Sequence, residues 1–336
     1  MRVMSAKTEL QCIKYSFIIP VKEINDYIFE TVAQIQAIQR NDWELLVIPD
    51  MASIIKWNEE RIQLYPSGAK KGPAFKRDYG AKIAKGEILV FLDDDSYPKK
   101  NILEVADIYF KNTNIIALGG PGITPLDNTF WQKVSGAVFL SKFSGGTPER
   151  YQSIGSGKKV FDWPSVNLMV RKLIFEKAGG FDSAHWPGED SLFCQKLINL
   201  KLGDIYYAPE MVVWHHRRSG LIRHLKQIGA YALHRGYFAK KYRGNSLRIL
   251  YFIPSGFMIF CLLSLILLPL EVGVKTISLI WVIYFLSLLI SLINIYRFHT
   301  LKIAIASVPY IFLTHLWYGY NFIRGLLAKK IVSRLR

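Results

Sequence analysis

Three consecutive carboxylates follow an apolar run in the first third of the chain. Asp93, Asp94 and Asp95 come directly after residues 87–92, whose pattern predicts a buried strand. Carboxylates this close repel one another unless a cation lies among them, and their oxygens are the ligands that Mg²⁺ or Mn²⁺ prefers. We therefore expect a divalent metal here, shared between the protein and a substrate diphosphate. An acidic turn that caps the next helix is the alternative interpretation.

A second acidic pair, Glu189 and Asp190, precedes residues 191–197, whose pattern predicts a helix. Acidic side chains stabilise the N-terminus of a helix through its dipole, and this role alone explains many such pairs. One of the two could instead be a general base that accepts the proton of an attacking hydroxyl. The pair alone does not decide between these interpretations.

Basic residues lie between the first strands and the three carboxylates. Lys70, Lys71, Lys76 and Arg77 would complement the charge of a bound diphosphate, although a solvated basic loop explains Lys70 and Lys71 equally well.

A second basic cluster lies further along the chain. His215 and His216 stand side by side, followed by Arg217 and Arg218. Neighbouring histidines can ligate a metal or contact phosphate, but they are often incidental. A role for at least one of them stays open.

The elements that would position these groups are short apolar strands alternating with helices. Strands are predicted over residues 15–20, 44–48 and 87–92, and helices over residues 26–39 and 74–85. This alternation predicts an α/β fold with a mostly parallel sheet that is covered on both faces. Ligands of such sheets bind outside the carboxyl ends of the strands, where Asp50 and the three carboxylates are expected. The irregular residues 124–162 are either a surface excursion or a wall of the substrate cleft.

The net charge of +17 is unevenly distributed. Residues 1–210 hold 26 Lys or Arg and 25 Asp or Glu, whereas residues 211–336 hold 17 Lys or Arg and one acid, Glu271. The basic half also contains the long apolar runs, and this combination is typical of a membrane surface. A nucleic-acid partner is not expected, because a nucleic-acid binder would spread its charge over a polar face.

Three apolar segments, residues 251–270, 276–296 and 303–323, approach the length needed to cross a bilayer. The third contains His315 and Asn321, so two crossings plus an interfacial segment are slightly favoured over three crossings. Residues 221–248 predict a basic amphipathic helix in the membrane interface. No signal peptide is recognised, and the three cysteines have no metal-ligand spacing, so we expect the front domain in the cytoplasm. The expected domains are 1–220 (catalytic), 221–250 (interfacial) and 251–336 (transmembrane).

In their order, these motifs resemble the family 2 glycosyltransferases, which have the GT-A fold. The resemblance covers roughly residues 15–218. It rests on the strand before Val21, the strand before Asp50, the basic pair Lys76 and Arg77, the three carboxylates, and the motifs around Asn167, at 179–182 and at Glu189-Asp190.

The resemblance implies a role for each of several residues of this sequence. Donor and nucleotide binding would fall to Asp50, Lys76, Arg77, Asp93 and Asp94. Asp93 and Asp95 would hold the Mg²⁺ or Mn²⁺, with Asp95 the foremost ligand. Asp190 would be the general base, with Glu189 beside it. The acceptor and sugar region would include Asn167, Trp186, His215, His216 and Arg217.

Some positions depart from the family pattern. Pro49 replaces an acid usually found beside Asp50, and Asp78 stands where Asn is usual, so the nucleotide stays open. No Gln-x-x-Arg-Trp motif follows the acidic pair, which favours a single sugar transfer over processive synthesis.

The resemblance thus implies an inverting transfer of a sugar from a nucleotide-diphosphate donor. The neighbouring membrane segments favour a lipid-linked acceptor, such as a polyprenyl-linked glycan, at the cytoplasmic membrane surface. Two alternatives are a nucleotidyltransferase and a non-catalytic membrane scaffold. The first would need a Gly-rich phosphate loop, which is absent from the sequence.

Overall fold

A computed structural model describes residues 12–69 and 72–332. Two sheets and ten α-helices lie in these residues. The strands are β1 (Tyr15–Pro20), β2 (Trp43–Ile48), β3 (Ile62–Leu64), β4 (Ile88–Leu92), β5 (Ser96–Pro98), β6 (Ile115–Gly119), β7 (Gly122–Ile123), β8 (Lys158–Val160), β9 (Asn167–Arg171), β10 (Asp204–Tyr207) and β11 (Val213–His215). The helices are α1 (Asp26–Gln36), α2 (Pro73–Ile83), α3 (Ile102–Phe110), α4 (Phe130–Ala137), α5 (Lys172–Lys177), α6 (Glu189–Leu200), α7 (Leu221–Lys241), α8 (Ile253–Leu267), α9 (Val274–Tyr296) and α10 (Leu301–Leu327).

The large sheet has the order β3-β2-β1-β4-β9-β6-β10-β8 among the described residues. β9 runs antiparallel to both of its neighbours, and β8 is antiparallel to β10, while the other pairs are parallel. The mostly parallel α/β fold is therefore confirmed, with β9 inserted in the reverse direction. A small sheet, β5-β11-β7, lies beside the carboxyl end of β4.

The large sheet is buried on both faces, and its central strands are mostly apolar, with β4 apolar at every position. Alternate residues of a strand point to opposite faces. In β4, Val90 packs into the core that contains α1 and α3, whereas Phe91 packs into the core that contains α2 and α6. Charged side chains are thereby confined to the strand ends, where Asp50 follows β2 and Asp93 follows β4.

Several predicted boundaries are corrected. The first two helices end at Gln36 and Ile83, a few residues earlier than expected. The segment 124–162 is less irregular than predicted, because Thr129 and Gln132 form a capping box that starts α4. The basic helix ends at Lys241 and not at 248, where Gly244 and short 3₁₀ turns interrupt it.

Helix α7 lies against α10 over much of its length. Gly325 of α10 makes the close approach possible, because a Cβ at this position would stand 2.1 Å from the carbonyl oxygen of Leu233. Half of α7 is thus buried, while Arg223, Lys226, Lys240 and Lys241 remain exposed.

Within residues 12–69 and 72–332, three helices are long and apolar enough to cross a membrane: Ile249–Leu267, Val274–Tyr296 and Leu301–Leu327. The third differs from the others, since 39% of its apolar window is buried within the protein, against 11% and 17%. Its polar residues are enclosed: His315 accepts or donates a hydrogen bond with Tyr284 at 3.0 Å, and Asn321 is buried against Trp317. His315 and Asn321 are therefore shielded from lipid whether the third helix crosses the membrane or lies in its interface.

Candidate active site

The three carboxylates lie in the turn between β4 and β5, and a histidine from a distant strand joins them. Asp93, Asp95 and His215 offer ligand atoms that all lie within 4.8 Å of one another. The pairing of β11 with β5 explains this arrangement, because it sets His215 opposite Ser96, the residue after Asp95. The structure therefore brings together the predicted metal ligands and one of the two histidines.

The charges around this cluster fit a cation. Burial and the neighbouring Asp95 and Asp93 raise the pKa of Asp94 to about 7, so the three acids do not all ionise freely. Burial opposes ionisation of Asp95 as well, yet His215 at 3.1 Å and Arg218 at 3.2 Å lower its pKa. Carboxylate oxygens with one imidazole suit Mn²⁺ or Mg²⁺.

His215 also contacts an arginine on its other ring nitrogen. Burial and Arg217 lower the pKa of His215, which favours the neutral ring. Arg217 Nη1 lies 2.8 Å from Nδ1, and because guanidinium only donates, the ring proton is on Nε2, facing Asp95. A metal bound through Nε2 would require Arg217 to release Nδ1.

His216 points away from the carboxylates. Its Nε2 lies 2.8 Å from Glu30, its Nδ1 lies 2.6 Å from the Asn128 amide, and its ring stacks on Tyr27. Arg217 is held by Thr124 and the carbonyl of Gly122 besides His215. The two adjacent histidines thus have different environments, and only His215 reaches the carboxylates.

Arg77 links the two acidic motifs. It is buried, with Nη2 2.6 Å from Asp93 and Nη1 2.8 Å from Glu189. Although burial disfavours the charge, Asp93 and Glu189 raise the pKa of Arg77, so it stays a cation. One guanidinium therefore joins the carboxylates that follow β4 to the start of α6.

The predicted nucleotide residues Asp50 and Lys76 form a buried ion pair. Lys76 also donates to the carbonyl oxygen of Val21, so it ties the end of β1 to the end of β2. Lys70 and Lys71 lie outside the described residues.

Glu189 and Asp190 form the first turn of α6. Burial raises the pKa of Glu189 to about 7, although Arg77 opposes the shift. Burial and then Asp162 raise the pKa of Asp190, whose Oδ2 is 3.4 Å from the backbone nitrogen of Ser165. Gly188 precedes them with φ +110, and a Cβ there would stand 2.5 Å from the Phe238 ring of α7.

Asn167 and Trp186 take different positions from the acids. The Asn167 amide is fully buried and donates to the carbonyl oxygens of Met211 (2.6 Å) and Pro121 (3.3 Å), so it fastens two loops together. Trp186 is half-buried in the loop that leads to Gly188.

Sequence reasoning missed a buried cluster next to the acidic pair. Asp162 lies 3.3 Å from Arg235 of α7, 3.6 Å from Arg150 and 3.3 Å from the Ser191 hydroxyl. Its members are far apart in the chain, and no local spacing connects them. In the sequence, the signal for this cluster is Asp162 itself, a single acid that directly precedes a tryptophan.

Comparison with known proteins agrees with this architecture. Residues 16–177 match the family described as Glycosyl transferase family 2. A relative from Methanococcus voltae, dolichyl N-acetyl-alpha-D-glucosaminyl phosphate 3-beta-D-2,3-diacetamido-2,3-dideoxy-beta-D-glucuronosyltransferase, is 25% identical over 81% of this chain and 80% of its own length. Glycosyltransferase GlyG of Streptococcus pneumoniae is 20% identical over 62% of this chain and 72% of its own length.

A solved structure resembles nearly the whole chain. It is a mannosyltransferase from Pyrobaculum calidifontis in complex with GDP-Man and Mn²⁺, with a TM-score of 0.55 and 15% identity over 95% of this chain and 88% of that one. At this identity the resemblance concerns the fold, and it confirms the predicted GT-A architecture followed by helices.

Proposed function

We propose that the chain, whose residues 16–177 match the family 2 glycosyltransferases, moves one sugar from a nucleoside diphosphate to a lipid-linked acceptor with inversion. The observation that carries the proposal is the junction at Arg77, which holds Asp93 of the metal cluster and Glu189 of the acidic pair on one guanidinium. A donor diphosphate and an acceptor hydroxyl are thereby expected to meet at this point.

The donor side is assigned to the β4–β5 turn. Asp93 and Asp95, with His215 beside them, would hold Mg²⁺ or Mn²⁺, which supplies positive charge to the departing diphosphate. Arg77 and Arg218 add fixed positive charge next to the same carboxylates. Asp50 and Lys76, paired at the ends of β1 and β2, would form the wall against the nucleotide.

The acceptor side is assigned to the start of α6. Asp190 would take the proton of the acceptor hydroxyl, and its raised pKa makes it a stronger base than an ordinary aspartate. Glu189 would stay fixed on Arg77 and position that guanidinium. One displacement at the anomeric carbon inverts its configuration, and no motif for processive synthesis is present in the sequence.

A lipid-linked acceptor is supported by two observations. The relative from Methanococcus voltae has a name that specifies a dolichyl-linked phosphate, and three helices of this chain are long and apolar enough to cross a membrane. We further propose several membrane crossings with the catalytic domain on the cytoplasmic side, since the basic excess after residue 210 flanks these helices.

The test is a transfer assay with the purified full-length protein. Radiolabelled nucleotide sugars would be incubated with detergent-extracted membrane lipids and Mn²⁺ or Mg²⁺, and label would be counted in the lipid fraction. We expect metal-dependent transfer with release of nucleoside diphosphate, lost in Asp190→Asn and kept in Asp182→Asn, an exposed aspartate of the loop before α6. Transfer to soluble acceptors alone would overturn the lipid assignment. Release of pyrophosphate would indicate a nucleotidyltransferase.

A further inference from the structure

A segment of the catalytic domain packs directly against the apolar C-terminal helices. The 129–144 segment consists of α4 and two 3₁₀ turns, Val138–Leu140 and Lys142–Ser144. One face of this segment is buried in a core shared with α9 and α10. The members of that core include Val134, Ala137, Val138 and Leu140 from the segment and Leu288, Ile295, Ile303, Ala304, Tyr310 and Ile311 from the helices.

A polar contact fixes the depth of the segment along α9. The hydroxyl groups of Ser141 and Ser291 are 3.0 Å apart and fully buried, and the Asn294 amide lies 3.5 Å from Ser141. Ser291 stands five residues before Tyr296, the end of α9. At a rise of 1.5 Å per residue, this contact lies about 7.5 Å inside the helix end. If α9 crosses a bilayer, the 129–144 segment must therefore reach below the headgroups.

The exposed large side chains of the segment have the composition of a membrane interface. Phe130, Trp131 and Phe143 are 41%, 48% and 52% exposed, although each is a large apolar or amphipathic side chain. Trp131 stacks on the buried Tyr310 of α10, so its exposed edge lies directly beside the third apolar helix. Lys142 is exposed beside Phe143 and can extend to lipid phosphates.

We propose that the 129–144 segment is embedded in the interface of the phospholipid bilayer, so that the catalytic domain itself contacts lipid beside its cleft. The segment starts next to Asn128, whose side chain contacts His216 and the backbone nitrogen of Arg217. The segment therefore begins one residue after a side chain that contacts the two residues following His215. This inference needs α9 to span the membrane, but it does not depend on the identity of donor or acceptor.

The experiment measures the depth of a spin label in the full-length chain. Cys12 and Cys261 are replaced by serine, while the buried Cys194 is kept. A nitroxide is attached at Phe143→Cys, and the protein is placed in nanodiscs of phosphatidylcholine and phosphatidylglycerol. The matched control is Leu173→Cys, a 72% exposed leucine on α5. The ratio of collisions with oxygen to collisions with a water-soluble nickel chelate reports immersion in lipid.

We expect a ratio several-fold higher at position 143 than at position 173. Equal, water-like ratios would overturn the proposal, and so would strong spin–spin broadening at 143, which would show that a second copy of the chain covers this face. A label at Lys142→Cys repeats the measurement if Phe143→Cys lowers the yield of folded protein. Because no substrate is added, the outcome is independent of the transfer assay, and either proposal can fail alone.

Discussion

Arg77 Nη1 lies 2.8 Å from Glu189 Oε1, and the two side chains are buried although they stand 112 residues apart. The other end of the same guanidinium contacts Asp93. A planar fork with fixed donors can serve two carboxylates at once, whereas an ammonium group is a single point charge. The start of α6 is thereby fixed relative to the carboxylates that follow β4.

The first prediction concerns Arg77→Lys. We expect the free energy of unfolding to fall by about 2 kcal/mol, because one of two charged hydrogen bonds in a buried site is lost. Sugar transfer should fall at least tenfold, since Glu189 or Asp93 is left without its partner. Thermal unfolding and transfer rates would check this. Arg223→Lys, at an exposed position of α7, is the control and should change neither quantity appreciably.

The second prediction concerns Asp190→Asn. Loss of a general base lowers kcat by roughly a hundred- to ten-thousand-fold, while binding of the nucleotide sugar should be kept. Asp182→Asn is the matched control. Loss of donor binding in Asp190→Asn, measured by calorimetry, would contradict the assignment.

The pH profile of the unchanged enzyme tests the same residue. Burial raises the pKa of Asp190, and a base must be deprotonated to act. Activity should therefore fall on the acid side at a pH above the ordinary aspartate value of 3.8. An acid limb at or below that value would contradict a role for Asp190 as the base.

The positions of the candidate site residues were predictable from sequence where the residues are close together in the chain. Asp93 to Asp95 directly follow an apolar strand, and the ordered motifs up to Asp190 predicted both the fold and the acidic groups. Strand pairing was not predictable in the same way. His215 and His216 are identical in type and adjacent, and the register of β11 against β5 determines which of them reaches Asp95.

Long-range ion pairs were also beyond sequence reasoning. Asp162 and Arg235 are 73 residues apart and share no motif, and they meet because α7 packs against the start of α6. The orientation of β9 was equally hidden, since a buried apolar strand has the same composition in either direction.

The third prediction separates the two histidines. His215→Ala should raise the Mn²⁺ concentration needed for half-maximal activity, because His215 lies 3.1 Å from Asp95 within the cluster that could hold the ion. His216→Ala should leave the metal requirement unchanged and lower the melting temperature, because His216 joins Glu30 to Asn128. Metal titrations of both variants would check this. An equal change in metal requirement would show that the cluster does not distinguish them.

The fourth prediction concerns the buried cluster around Asp162. Burial opposes its charge, yet Arg150 and Arg235 lower the pKa of Asp162 below its ordinary value of 3.8. A carboxylate with a lowered pKa stabilises the fold fully above the unfolded value and loses that contribution as the pH falls through the folded value. Asp162→Asn should therefore cost about 3 kcal/mol near neutral pH, because two largely buried guanidinium groups, 21% and 17% exposed, lose their counter-charge, and the cost should shrink only below about pH 4. Apparent melting temperatures of the full-length protein in detergent would measure this.

Asp204→Asn, which breaks the more exposed pair with Lys159, is the control and should change stability by less than about 1 kcal/mol. An Asp162→Asn variant as stable as the control would show that the arginines are not held by this carboxylate.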